Sequence, residues 1–192
     1  VTYRFPQVDA QWEITYKVFA NGIIKVDNRF VAEGTETPMI PRVGLRMQLS
    51  EILNDLTYYG RGPEENYRDR RTSQFIGEYT TPIKDLYEPY IRPQENEHRT
   101  DIYWCALTTK QKAGLLFIAD RTFELNASNY LLGSLDSGET IDNGAPRTSE
   151  TNHRHLTDPQ PVKQVDMFID YRMMGVGGDN SWGAIAHEPY LI

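Results

Sequence analysis

Hydrophobic and polar residues alternate with a period of two along much of this 192-residue chain. The clearest run spans residues 12–18, in which every second side chain is apolar. Asn21-Gly22 follows this run, and the alternation resumes between Ile24 and Phe30. Because an Asn-Gly turn favours positive φ at both central positions, this segment predicts a β-hairpin with Asn21 and Gly22 at its tip.

Five further segments carry the strand pattern: 43–49, 55–59, 102–109, 114–119 and 163–173. In the last of them, alternate apolar residues fall on one face, namely Val165, Met167, Ile169 and Tyr171. No segment keeps apolar residues at helical spacing over three turns, so the pattern predicts no long helix. Many strands separated by turn residues favour an all-β fold, specifically an antiparallel β-sandwich.

The middle of the chain, residues 60–100, is poor in this alternation, and we expect long loops there. Loops carry binding residues more often than strands do. An aromatic and proline-rich surface is predicted from Tyr87, Pro89, Tyr90 and Pro93. Trp12 and Trp104 lie in predicted strands instead, where core packing is the expected role of an indole.

A glycine-rich segment near the end of the chain, Gly175 to Trp182, carries the strongest signal for a binding site. Its three glycines (Gly175, Gly177 and Gly178) allow positive φ and a tight turn. The turn then presents Asp179, Asn180 and Trp182. An indole that covers the apolar face of a sugar ring, beside short polar groups that bind its hydroxyls, is typical of a carbohydrate site. The alternative is a glycine-rich hairpin whose tryptophan packs in the core.

Composition and charge exclude several classes of function. A net charge of −7 argues against a nucleic-acid partner, since binding phosphates requires a basic surface. The one basic run, Arg68 to Arg71, contains Asp69 and is predicted to pair internally. No apolar run reaches the roughly 20 residues of a membrane span, so no membrane partner is predicted. The single cysteine, Cys105, lies in an apolar run and is predicted to be a buried, inert thiol.

Several long motifs occur together in a fixed order, from about Thr15 to the end of the chain. They are PRVGL (41–45), YYGRGPEENYRDR (58–70), YEPYIRPQENEHRTD (87–101), TNHRHL (151–156) and GVGGDNSW (175–182). With these motifs the chain resembles the carboxy-terminal domain of the glycoside hydrolase family 2 β-galactosidases.

The resemblance implies a β-sandwich of the supersandwich type, similar to galactose mutarotases, in an enzyme that removes terminal β-galactose from galactosides. It places the two catalytic glutamates in a separate barrel, so this chain is expected to have no catalytic residues and to be inactive alone. The glutamates of the middle segment are read as solvated loop charge: Glu64, Glu65, Glu95 and Glu97. The resemblance makes Trp182 a residue that stacks on the substrate sugar, with Asp179 and Asn180 shaping its loop.

The resemblance also implies the organisation and partners of the chain. Residues 1–192 are expected to be one domain of a much larger protein, without the first strands of that domain. The exposed sheet edge would then be covered by self-association into a homo-oligomer or by irregular packing. The expected partners are a galactoside and the other domains of the parent chain. No cofactor is expected in this chain, any Mg²⁺ or Na⁺ of the parent lying in other domains, and a bacterial cytoplasm or periplasm are both open as its location.

Three weaker patterns leave alternatives open. His153 and His155 would face the same side of a strand, as metal ligands can, but structural hydrogen bonding is the expected role. Asn126-Ala127-Ser128 matches a glycosylation sequon and is expected to be silent. The alternative functions are an autonomous carbohydrate-binding module, which would use Trp182 and the tyrosine surface, and a mutarotase-like epimerase, which would use one of the two histidines with a glutamate.

Overall fold

The computed structural model describes residues 1–33, 39–135, 155–180 and 183–192. In this part of the chain the regular structure consists of nine β-strands and four short 3-10 turns, the longest of four residues. Every strand pairing is antiparallel. The predicted all-β, antiparallel fold class is therefore confirmed. No helix of the described residues is long and apolar enough to cross a membrane.

Two compact units divide the chain at residue 40. The first contains a sheet in the order β1-β2-β3, with strands Thr2–Phe5, Ala10–Val18 and Ile24–Ala32, and a 3-10 turn at Pro6–Val8. Trp12 of β2 packs edge-on against Phe30 of β3, with 6.1 Å between the ring centroids. This contact agrees with a packing role for that indole.

The predicted hairpin joins β2 to β3, but its turn differs from the predicted one. Phe19 and Ile23 pair across the loop, and the Gly22 N–H donates to the Phe19 carbonyl at 3.0 Å. Gly22 takes a φ of 87°, whereas Asn21 stays outside the left-handed region. The loop is thus a turn of three residues that needs positive φ at its last position alone. Such three-residue turns are the next most frequent connection in β-hairpins after two-residue turns.

The second unit, Pro41–Ile192, contains a six-stranded sheet in the order β4-β9-β8-β7-β5-β6. Its strands are β4 (Arg42–Ser50), β5 (Asp55–Gly62), β6 (Phe75–Pro82), β7 (Arg99–Thr108), β8 (Gly114–Ser128) and β9 (Gln164–Met173). The 3-10 turns of this unit are Ile83–Asp85, Leu132–Leu135 and Glu188–Tyr190. Arg46 of β4 binds the buried carboxylate of Asp166 on β9 with two hydrogen bonds, of 2.8 and 2.7 Å.

The expected long loops form at residues 63–74 and 86–98, but the sequence pattern missed the strand β6, which lies between them. β6 is an edge strand of the described sheet and pairs only with β5. Its side chains are exposed or half-buried along its whole length, so it lacks the apolar face that makes a strand visible in a sequence. The strand β1 was missed because its four residues are too short a run to establish a pattern.

One hydrophobic cluster forms the core of the second unit, on one face of the sheet. Its members include Leu56, Tyr58, Ile102, Leu107, Leu125, Val165 and Met167. Cys105 belongs to this cluster, which confirms its predicted burial, and burial raises the pKa of its thiol. On β9 the predicted apolar face is buried at Val165 and Met167, while Tyr171 at the end of the strand is 55% exposed.

Candidate functional site

Two sequence motifs that are far apart in the chain meet at the glycine loop, our name for residues 175–180. The carboxylate of Asp69 accepts hydrogen bonds from the backbone N–H groups of Val176 (3.1 Å) and Gly177 (2.8 Å). The prediction that Asp69 pairs with arginines of its own basic run is therefore wrong. Two successive backbone N–H groups form an anion-binding concavity, and here a side chain of the same protein fills it.

The glycines of this loop are required for two different reasons. Gly177 and Gly178 take φ values of 66° and 83°, as the sequence predicted. Gly175 is required instead by a close approach, because a Cβ at this position would lie 2.4 Å from Asp69 Oδ2. At Gly177 both constraints apply, since a Cβ there would lie 2.3 Å from the carbonyl oxygen of Ala184. The loop conformation is therefore specified by its neighbours as well as by its own sequence.

The end of the chain holds the other side of the glycine loop. The Gly178 N–H donates to the Ala184 carbonyl at 2.7 Å, and the Gly175 N–H donates to the Tyr190 carbonyl at 2.8 Å. The carboxylate of Asp179 is hydrogen-bonded to Nε2 of His187, and both side chains are more than half exposed. His187 was absent from the predicted site residues, because a lone histidine in a segment without strand pattern gives no signal in the sequence.

The predicted site residues stand as follows. Asp179 and Asn180 are exposed at the end of the glycine loop. Trp182 lies outside the described residues, so its role in the site stays a prediction. Gly183, which follows it, takes a φ of 77°.

Asp69 itself is carried by a tight turn, in which Tyr67 and Arg70 exchange two backbone hydrogen bonds of 3.0 and 2.8 Å. The Tyr67 ring is buried and stacks on the ring of His98, with 5.2 Å between centroids. Burial raises the pKa of Tyr67 well above its ordinary value. Arg70 donates to Glu65 at 2.7 Å. The turn is thus fixed on both sides, which holds the carboxylate of Asp69 in place.

Glu65 joins this turn to the segment that follows β6. One of its carboxylate oxygens binds the Tyr90 hydroxyl as well as Arg70, and the other accepts the Glu97 backbone N–H at 2.9 Å. Burial and the hydrogen bond to Glu65 raise the pKa of Tyr90 to about 12. The carboxylate of Glu65 is therefore a structural link between two motifs, and the prediction of solvated charge at this position is wrong.

The predicted aromatic and proline-rich surface does not form. Pro93 is buried, and the hydroxyl of Tyr90 is engaged by Glu65. The ring of Tyr87 stacks on Tyr130 at a centroid distance of 4.0 Å, which covers one of its faces. These rings hold the segment against its own unit, so they leave little aromatic surface for a sugar.

The buried polar network continues beneath these loops through His98. Nδ1 of His98 lies 2.7 Å from Oδ1 of Asn126, and Nε2 lies 3.2 Å from Glu124. Arg42 also donates to Asn126 Oδ1, at 2.7 Å. Because Asn126 is buried and hydrogen-bonded, it acts as a structural residue here, and the folded sequon offers no accessible amide for glycosylation.

Two carboxyl groups in this region have strongly raised pKa values. Burial raises the pKa of Glu97 well above its ordinary value, against the opposing effects of Ser128 and Arg99. Glu97 is 1% exposed, so the prediction of solvated charge is wrong here too. Burial also raises the pKa of Asp170 to about 7, although Nε of Arg42 lies 2.9 Å from its carboxylate.

The histidine pair gives no metal site in the part of the chain that can be described. His155 lies in a bend, where its backbone N–H donates to Asp158 at 2.9 Å, and His153 lies outside the described residues. The described residues contain no group of three or more histidine, cysteine, aspartate or glutamate side chains that could hold a metal ion.

Comparison with known proteins identifies the class to which this all-β chain belongs. A family model described as the β-galactosidase small chain matches residues 1–192, so the match extends over the whole chain. The chain therefore belongs to the β-galactosidase small chain family.

Individual relatives agree with this assignment. The chain is 32% identical over 179 residues to a β-galactosidase of Priestia megaterium, covering 93% of this chain and 16% of that protein. It is 29% identical over 185 residues to a β-galactosidase of Streptococcus thermophilus, covering 96% of this chain and 16% of that protein. The chain thus spans about one sixth of the length of these relatives.

Proposed function

We propose that this chain is a non-catalytic part of a β-galactosidase-like glycoside hydrolase, which cleaves terminal β-galactose from galactosides. In that enzyme it packs on the catalytic barrel and supplies Trp182 to the wall of the sugar site. The observation that carries this proposal is the family match over residues 1–192, combined with the hydrogen bonds by which Asp69 holds the glycine loop.

The geometry of the glycine loop supports a recognition role. Four backbone N–H groups, from Gly175 to Gly178, bind the rest of the unit, so the loop is organised before any ligand arrives. Asp179 and Asn180 lie beyond this anchored part and face solvent. A preorganised loop that presents exposed polar groups next to a tryptophan loses little entropy when it binds a sugar.

The carboxylates of the second unit support a non-catalytic role. Retaining glycosidases need two carboxyl groups about 5–5.5 Å apart at a position that the substrate can reach. Glu97, Glu124 and Asp166 are all buried. Glu124 accepts from His98 and from the Met173 backbone N–H, so it is occupied within the fold. Because they are buried, these three carboxyl groups are closed to a glycoside.

The test compares three proteins: the chain alone, the full enzyme and the full enzyme with Trp182→Phe. We expect the chain alone to hydrolyse no lactose, and the Trp182→Phe enzyme to show a KM for lactose raised about tenfold, because stacking of a sugar on an aromatic ring contributes about 1–2 kcal/mol. Trp12→Phe in the first unit is the matched control and should leave KM unchanged. Hydrolysis by the chain alone, or an unchanged KM in Trp182→Phe, would contradict the proposal.

The two alternative functions have clear tests. A binding module would bind lactose as the isolated chain, which a titration of the indole N–H signals by NMR detects. The epimerase predicted from the sequence would use His153 or His155 with a glutamate, whereas the histidine and carboxylate in contact beside the glycine loop are a different pair, His187 and Asp179. Conversion of α-galactose to β-galactose that is faster with the chain than with its His187→Ala variant would favour this second alternative.

A further inference from the structure

Asp69 lies outside the glycine loop and yet makes its central contact, which raises the question of what this residue does. We infer that Asp69 is the positioning residue of the glycine loop: its carboxylate sets the conformation of residues 175–177, from which the chain continues to Asp179 and Asn180. The inference rests on the proposed function for its link to the sugar, and on the contacts of Asp69 for the positioning itself.

Asp69 contacts the glycine loop through both oxygens of its carboxylate. Each carboxylate oxygen of Asp69 accepts one backbone N–H, from Val176 and from Gly177. Hydrogen bonds to a charged acceptor are about twice as strong as those between neutral groups. A pair of them on adjacent residues fixes the orientation of the two peptide planes on either side of Val176. Asp69 therefore sets the path by which the chain reaches Gly177, and the bond from the Gly178 N–H to the Ala184 carbonyl holds the next peptide.

The loop has a glycine at the position that faces this carboxylate. At Gly175 a side chain would collide with Asp69 Oδ2, since a Cβ would lie 2.4 Å from that atom. The same Cβ would lie 3.0 Å from the Cβ of Ala186. Gly175 thus lies between the anchoring carboxylate and the terminal segment, and a side chain at this position would force the Asp69 carboxylate to move away from its two N–H donors.

The turn that carries Asp69 is itself held in place by its neighbours. It is closed by the two backbone hydrogen bonds between Tyr67 and Arg70. Tyr67 is locked by its stacking on His98, and Arg70 by its ion pair with Glu65. The buried polar network beneath the sheet therefore extends through the turn to the loop, with Asp69 as its last member.

The first measurement is hydrogen exchange of the backbone amides in the chain, for Asp69→Asn and for the control Asp85→Asn. Asp85 is an exposed aspartate with a 3.8 Å contact to Lys84, so its replacement changes charge in the same way. We expect the Val176 and Gly177 amides to exchange about 10- to 100-fold faster in Asp69→Asn, with strand amides unaffected. Unchanged exchange at these two amides would overturn the inference.

A second variant approaches the same contact from the other side. Gly175→Ala places a methyl group against the carboxylate, and it should accelerate exchange at the same two amides. If Asp69→Asn does not fold, this variant decides the question alone. Protection of Val176 and Gly177 that survives Gly175→Ala would then overturn the inference.

The link to the sugar is tested by a double-mutant cycle in the full enzyme, with KM for lactose as the readout. We expect Asp69→Asn and Trp182→Phe each to raise KM, and the double variant to be no worse than the poorer single variant. Effects that multiply would show that Asp69 acts independently of the loop, which overturns the inference. If Trp182→Phe leaves KM unchanged, the proposed function fails, while the exchange data still decide whether Asp69 positions the loop.

Discussion

Glu97 destabilises the folded state, and replacing it should make the chain more stable. Its carboxyl group is buried, and within the described residues neither carboxylate oxygen has a hydrogen bond of ordinary geometry. Its backbone has a φ of 65°, in the left-handed region. An unsatisfied buried polar group costs about 1–3 kcal/mol, and a left-handed residue with a side chain costs about 1–2 kcal/mol.

Two substitutions separate these costs. Glu97→Gln keeps the size and the strained backbone but removes the ionisable group. Glu97→Gly removes both, at the expense of about 0.5–1 kcal/mol of additional entropy in the unfolded chain and of the packing that the side chain provides. We therefore expect a net gain of about 1–3 kcal/mol in the free energy of unfolding for Glu97→Gly at pH 8, measured by urea denaturation.

The pH dependence follows from the raised pKa of Glu97. The folded state binds the proton of Glu97 more tightly than the unfolded state, so the contribution of this group to stability is most favourable at low pH. It falls as the pH rises from the ordinary pKa of a glutamate, about 4.3, towards the raised value. The slope from this one group is at most about 1.4 kcal/mol per pH unit. Asp170, whose pKa is raised to about 7, adds a slope of the same sign between its ordinary value and pH 7.

The assay is a series of urea denaturations of the wild-type chain and of Glu97→Gln between pH 4 and pH 8. The two proteins should be similar in stability at pH 4, below the ordinary pKa of a glutamate, and Glu97→Gln should become the more stable one as the pH rises. The remaining slope in the variant comes from Asp170 and other groups. Parallel curves for the two proteins would refute the reasoning, because Glu97 would then titrate alike in both states.

Three further predictions use urea denaturation with matched positions. Lys112 has a φ of 63° at the end of the β7–β8 turn, a conformation that costs less for glycine than for lysine. Lys112→Gly should therefore raise the free energy of unfolding by about 0.5–1 kcal/mol, and a decrease would contradict the strain argument. Gly177→Ala should lower the free energy of unfolding by about 1–2 kcal/mol more than Gly178→Ala. Both glycines have positive φ, but only at Gly177 would the added Cβ collide with a backbone atom. Equal losses for the two variants would count against this collision. Arg46→Met should lower the free energy of unfolding by about 2–3 kcal/mol, because it leaves the buried carboxylate of Asp166 without its ion-pair partner. Arg172→Met is the control, since Arg172 is equally exposed but lies 3.9 Å from Glu124, and it should lower the free energy of unfolding by less than about 1 kcal/mol. The reverse order of the two effects would contradict this account.

The sequence predicted the strands in which apolar and polar residues alternate over a long run, including β3 and β4, which contain no buried residue. The alternation of residues 43–49 and 163–173 located every boundary of β4 and β9 to within one residue. β6 was missed because its apolar residues do not alternate, and β1 because its four residues are too short a run. Asn-Gly located the first hairpin correctly, but turn type depends on how the flanking strands pair, and that is decided by the register of β2 and β3.

The candidate site was predictable only as far as it is local. The positive φ of Gly177 and Gly178 follows from their own sequence. The reason for Gly175 does not, because it lies in the side chain of Asp69, which tertiary structure brings to the loop. The burial of Glu97 was missed for a related reason. A glutamate among other polar residues resembles solvated charge until the fold closes around it.

The close approach of Gly175 to Asp69 has a consequence for exchanging parts between related proteins. A chimaera that takes the glycine loop from one relative and the Asp69 turn from another preserves function only if both donors have the same pair of residues. A relative with a side chain at the position of Gly175 would need a shorter residue, or a displaced turn, at the position of Asp69. Two segments that are far apart in sequence therefore form one module, and they have to be inherited, or engineered, together.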